Sequence, residues 1–142
     1  MAAKPHGTRV LGQQHIYLMT GNGSTTLAAK TLVQSIEATG SNTVDAAATN
    51  TAVFGFTKES IAATATGLCD RIQPGDLFWV SVSSGTVAST LMGKYGDIVN
   101  GLSVTTTNSN NDCRFMGWDG ATTNFAIVEF ETPESATPTI LA

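Results

Sequence analysis

The sequence predicts a mainly β protein: one small barrel-like or sandwich domain of short antiparallel strands, with extended arms at both ends and at most one short helix. Three observations carry that expectation. Thr, Ser, Asn and Gly make up more than a third of the chain; Thr favours strands, and Gly and Asn favour the tight turns between them. The apolar residues fall in short runs bounded by turn dipeptides, several with period-two alternation. At 142 residues and 42% apolar content, the chain fills one core, and two independent cores would be hard to fill.

The elements follow in order. Residues 1–12 read as an N-terminal arm, without periodicity and punctuated by Pro5, Gly7 and Gly12. The β-rich domain occupies 13–131. It opens with a short strand, His15 to Thr20, closed by the turn Gly21-Asn22-Gly23-Ser24. Thr25 to Thr39 stays open between two readings: Ala28, Leu32 and Ile36 recur at helical spacing, whereas Thr31 and Val33 suit a strand. Ser41 to Asn50 reads as a polar loop. Ala52 to Thr57 and Leu68 to Ile72 read as strands around a small, Thr-rich connection. Pro74-Gly75 turns the chain into Asp76 to Val82. There Phe78, Val80 and Val82 fall on one face and Leu77 and Trp79 on the other, so its first half is expected to be buried on both sides. Thr86 to Met92 reads as a short strand, and Gly96 to Val104 as another apolar stretch. Cys113 to Trp118 and Phe125 to Phe130 flank Asp119-Gly120, the strongest hairpin signal in the chain. Residues 132–142, with Pro133 and Pro138, read as a C-terminal arm. No exact internal repeat is visible.

Charge and motif content narrow the function. Seven Lys and Arg stand against eleven Asp and Glu, with no basic cluster to neutralise phosphates, so no nucleic-acid partner is expected. No apolar run approaches the ~18–20 residues of a membrane span, and Met1 to Gly7 carries no apolar core of a signal peptide. Cys69 and Cys113 belong to no CxxC pair and read as two buried free thiols. GxSxG, HExxH, Walker A and GxGxxG patterns are missing, and Gly93-Lys94-Tyr95-Gly96 lacks the spacing of a phosphate loop. His6 and His15 form no zinc spacing with the cysteines. Asp70, Asp76, Asp112 and Asp119 sit beside turns and strands, where turn formation accounts for them. The expectation is a protein that is not an enzyme, with no catalytic residue, no metal and no cofactor. Trp79 and Trp118 read either as core aromatics or as anchors of an oligomer interface.

From Thr51 onward the order of elements resembles a family of tailed-bacteriophage proteins, the head-decoration or capsid-cement type. The residues that carry the resemblance are Val53-Phe54-Gly55-Phe56-Thr57-Lys58-Glu59, Leu68-Cys69-Asp70-Arg71-Ile72, Pro74-Gly75-Asp76-Leu77-Phe78, Met92-Gly93-Lys94-Tyr95-Gly96, Arg114-Phe115-Met116-Gly117-Trp118 and Ala126-Ile127-Val128-Glu129-Phe130-Glu131. Met1 to Asn50 falls outside it.

The resemblance implies a barrel-like domain bound in many copies to the outer surface of a phage head, with the major capsid protein as partner. It also implies a homotrimer or other homo-oligomer on the shell, made in the host cytoplasm and located on the virion. In that setting the N-terminal arm is expected to tie onto the capsid through Lys4, Pro5, His6, Arg9, Val10 and Leu11. The cations would meet carboxylates, and the aliphatic pair a shallow groove. Two rivals stand beside it: another virion binding module, such as a tail, fibre or receptor-binding component, and a small hydrolase of unrecognised type.

Overall fold

The computed structural model describes residues 2–23, 25–36, 42–131 and 133. Among these residues the chain is mainly β, with eleven strands and one 3-10 turn at Ser89–Leu91. The strands are β1 (Thr8–Leu11), β2 (Ile16–Gly21), β3 (Leu32–Ser35), β4 (Thr43–Ala46), β5 (Gly55–Thr57), β6 (Thr66–Arg71), β7 (Leu77–Ser84), β8 (Tyr95–Asn100), β9 (Ser103–Thr105), β10 (Cys113–Gly117) and β11 (Phe125–Phe130).

They build two small barrels, in keeping with the expected barrel-like β character. The first closes in the order β2-β4-β3-β5-β6. Alternation along β2 sends Tyr17 and Met19 inward, where they meet Val33, Val44, Phe54 and Cys69. The second is a sheet ordered β1-β7-β11-β10-β8-β9, in which β9 returns to pair with β7 and closes the ring. The eight residues of β7 allow this: one edge serves β1 at Leu77–Trp79 and β9 at Val82–Ser84. Closure removes nearly every open edge, which protects short strands from pairing with other chains.

The two barrels are copies of one plan. Numbered within each barrel, the strands run first-third-second-fourth-fifth around the ring, and in both the first and third strands are parallel while the other pairs are antiparallel. The registers agree as well. Ile16↔Asp70, Leu18↔Leu68 and Thr20↔Thr66 in the first barrel match Leu77↔Glu129, Trp79↔Ile127 and Ser81↔Phe125 in the second. The shift is 61 residues on the first strand (16 to 77) and 59 on the fifth (70 to 129). Connecting segments repeat too: Leu27 donates to the Ile61 carbonyl as Val87 does to Thr123, and Gly21 to Ala65 as Val82 does to Asn124.

The barrels share apolar packing. Leu32 and Phe56, paired on the outside of the first barrel, join the cluster that fills the second, with Phe56 4.9 Å from Phe78 and 6.0 Å from Phe130 between ring centroids. The junction is thus an extension of the second core.

Several expectations need correction. Residues 8–11 are not a free arm: they form an edge strand on β7, pairing Thr8 with Trp79, Arg9 with Phe78 and, past an irregularity at Val10, Leu11 with Leu77, while Arg9 turns to partners described below. Thr43–Ala46, expected in a polar loop, is a strand whose Val44 fills the first barrel. Thr25 to Thr39 resolves to strand over Leu32–Ser35, where Leu32 and Val33 face two different cores. Thr86 to Met92 is not a strand: both edges of β7 are already taken, and the segment makes the 3-10 turn. Apart from Pro133, which bridges to Val53, the C-terminal arm 132–142 lies outside the described residues.

Candidate interaction surface

The strand period that turns Tyr17 and Met19 into the first barrel turns Ile16 and Leu18 outward, and register places Leu68 opposite Leu18. These three side chains stay open to solvent: Ile16 and Leu18 are 43% exposed and Leu68 39%. Both strands already pair on both edges, β2 with β4 and β6, and β6 with β2 and β5. The face therefore offers apolar surface and no free backbone groups. At its rim the Lys58 N–H donates to the Leu68 carbonyl, and the Glu59 carboxylate accepts the Leu68 N–H at 2.9 Å.

The equivalent face of the second barrel is closed. Trp79 and Ile127 occupy the positions of Leu18 and Leu68 and also point away from their barrel interior, yet they are 1% and 9% exposed. The N-terminal residues account for this. Gly7 donates to the Trp79 carbonyl and β1 flanks β7 on one side. Ala3 lies close to Asp119, which follows β10 on the other side. Residues 3–6 thus span β7 and β11 as a strap.

Two side chains pin this segment. His6 accepts the Ser81 N–H at Nδ1 (3.0 Å) and donates from Nε2 to the Gly101 carbonyl (2.9 Å), an arrangement available only to the neutral ring. Burial pushes its pKa below the ordinary histidine value, against the opposing effect of the Gly101 carbonyl. Arg9 donates to Asp70 at 2.8 and 3.3 Å and to Asp76 at 2.7 Å, and its guanidinium lies 4.7 Å from the Phe78 ring centroid. Burial disfavours that charge, but hydrogen bonds and the two carboxylate charges outweigh it and hold the arginine above its ordinary value.

Three further aspartates serve the chain's own backbone. Asp112 accepts from Asn50 and Ile98, Asp97 from Ser109 and Asn110, and Asp119 from Ala121 and Thr122. Bonds from Thr122, first its hydroxyl, and from the Ala121 N–H hold Asp119 down to about 2. Both cysteines are free and buried, one in each barrel, and burial raises each thiol to about 12. Among the described residues no three His, Cys, Asp or Glu side chains gather as metal ligands. A groove of ≈ 220 Å³ opens between Leu27, Ala28, Ala46 and Leu102.

The residues singled out in the sequence separate accordingly. Lys4, Pro5 and Leu11 are exposed, and Val10 is half-buried on β1. His6 and Arg9, expected among the capsid contacts, are engaged within the chain. Trp79 is an intramolecular core-side residue and not an open interface anchor. Trp118 packs half-buried against the second core. Ile16, Leu18 and Leu68 escaped sequence reasoning, although alternation along His15 to Thr20 would have put Ile16 and Leu18 on one face. The comparisons with known proteins add no relative: no family model matches the chain, and no curated protein matches it.

Proposed function

We propose that this protein is a capsid decoration protein. It binds the outer surface of a phage head, stabilises the shell by bridging major capsid subunits, and works without catalysis. The observation that carries the reading is the bare apolar face of Ile16, Leu18 and Leu68 on a closed barrel. A rigid, edge-free platform presents that face at little entropic cost, and burying the two-fifths of each aliphatic side chain still exposed contributes roughly 0.6–1.3 kcal/mol. The composition supports the same reading. Only 13% of residues are charged, and a protein tiled densely on a surface repels its neighbours less when charges are few. The resemblance of the element order from Thr51 onward to the decoration family adds to it. On the shell the protein acts as a homotrimer or other homo-oligomer, with the major capsid protein as partner.

The test is co-sedimentation with shells assembled from the major capsid protein alone. Saturable binding is expected, reduced at least tenfold by Leu18→Asp or Leu68→Asp in proteins that melt as the parent does. Protein left in the supernatant at every concentration would overturn the reading.

A further inference from the structure

The strap over the second barrel is held by one group that changes charge near neutral pH and one that does not. The two groups lie on either side of Gly7. His6 precedes it, Arg9 follows it, and Gly7 itself has φ +84°, a left-handed conformation that favours glycine. The neutral His6 ring uses both nitrogens, one accepting from Ser81 and one donating to Gly101.

A proton on Nδ1 would set two donors against each other at the Ser81 N–H. No rotation of the ring repairs this. The imidazolium has two N–H groups, and the acceptor beside it, the Gly101 carbonyl, also takes the Leu32 N–H at 2.7 Å. The elements around the ring supply no countercharge. Neither β7 (Leu77–Ser84), nor the β8–β9 turn (Asn100–Ser103), nor β5 (Gly55–Thr57), whose Phe56 ring meets His6 edge-on at 5.5 Å, contains an ionisable side chain. On the strap itself stands Lys4, and the stem of Lys30 lies against Gly7, so the fixed charges nearby are positive. Asp119, at the far end of the strap, keeps its charge well below the histidine range. Arg9, Asp70 and Asp76 are already matched to one another.

We propose that His6 is a proton-operated latch: its protonation lifts residues 2–6 off the second barrel about Gly7 and uncovers Trp79 and Ile127, while Arg9 keeps β1 docked. The uncovered face is the structural equivalent of Leu18 and Leu68, so mild acid converts a protein with one bare apolar face into a protein with two. The direction follows from linkage. The closed form excludes the proton that the open form accepts near pH 6.5, so closure holds above that value and is lost as pH falls through the lowered pKa of the closed form.

The experiment uses the full chain with Trp118→Phe, so that Trp79 is the sole indole. Acrylamide quenching and emission maximum are followed from pH 8 to 4, with far-UV circular dichroism on the same samples. The expected result is a rise of at least threefold in the quenching constant and a red shift, fully reversible, with the β signal unchanged. His6→Gln, which keeps a donor and an acceptor and cannot take up the proton, should abolish the transition. As a second readout, the His6 ring and the Ser81 amide should titrate together in the NMR spectrum of the wild-type chain. Quenching that stays flat until the β signal is lost would overturn the latch. So would an unchanged transition in His6→Gln, or a His6 titration that leaves the Ser81 amide unmoved.

Discussion

Arg9→Met tests whether the N-terminal strand is part of the folded core. The methionine keeps an aliphatic stem over Phe78 and removes the charge that Asp70 and Asp76 share. Both carboxylates are largely buried, with side-chain exposures of 9% and 7%. Removing one partner of a buried pair leaves the other as an uncompensated charge, at a typical cost of 3–5 kcal/mol. Each aspartate retains one backbone donor, His15 for Asp70 and Gln73 for Asp76, which places the loss at the lower end, about 3 kcal/mol. For a chain of this size that corresponds to roughly 10 °C in Tm. The assay is urea and thermal unfolding of the parent and the variant. Adding Asp70→Asn and Asp76→Asn to Arg9→Met should recover part of the loss, because the stranded charges go with the arginine. A loss under ~1 kcal/mol would put the trio in the class of exposed surface pairs and refute the reasoning.

Three further outcomes follow from the same geometry. Deleting residues 1–7 should lower stability by about 2–3 kcal/mol and red-shift tryptophan emission as Trp79 opens to water, and an unchanged melt would restore the free-arm reading. Cys69 and Cys113, with thiols pushed up to about 12, should resist a thiol reagent at pH 8 and both react once the chain is unfolded; fast labelling of the native protein would contradict their burial. Gly55→Ala should cost more than ~2 kcal/mol, since its Cβ would collide with the Asp70 backbone carbonyl inside a closed ring, whereas Gly23→Ala meets nothing closer than the Thr64 methyl at 3.5 Å and should be nearly neutral in thermal melts.

Alternation made much of the fold legible. β2, β7, β10 and β11 are where the apolar period places them, and the expected two-sided burial of the first half of β7 is met at Phe78, Trp79 and Val80. The elements that were missed depend on partners distant in sequence. β1 holds four residues between glycines, and Arg9 finds its carboxylates 61 and 67 residues further on. β4 contributes one fully buried side chain, Val44, in a run otherwise indistinguishable from a loop. The repeat was hidden for a different reason. Equivalent positions preserve direction and not chemistry: Leu18 matches Trp79, Gly67 matches Ala126, and Arg71 matches Phe130. One trace survives, His15-Ile16-Tyr17-Leu18-Met19 against Asp76-Leu77-Phe78-Trp79-Val80. Pro74 and Pro133 follow the fifth strands at the same 59-residue shift (74 to 133).

The repeat also gives the bare face its meaning. A five-stranded ring built on alternation fills its interior with one set of side chains and presents the other set outward. Each copy therefore faces the same choice on the ladder between its first and fifth strands. In the second copy that ladder carries Trp79 and Ile127, and the chain spends its first residues covering them, with a histidine and an arginine as fasteners. The first copy carries Leu18, smaller than Trp79, and Leu68, an isomer of Ile127, at the same positions, and the described chain lays nothing over them. Scattered exposed leucines need no explanation in a soluble protein. Here the same plan, executed twice in one chain, shows what covers such a ladder when it is covered from within. The uncovered copy presents a surface of the same kind, at the same register, on an equally closed ring, with both strand edges occupied. A partner that seats there must approach the face and bury Leu18 and Leu68 through its side chains.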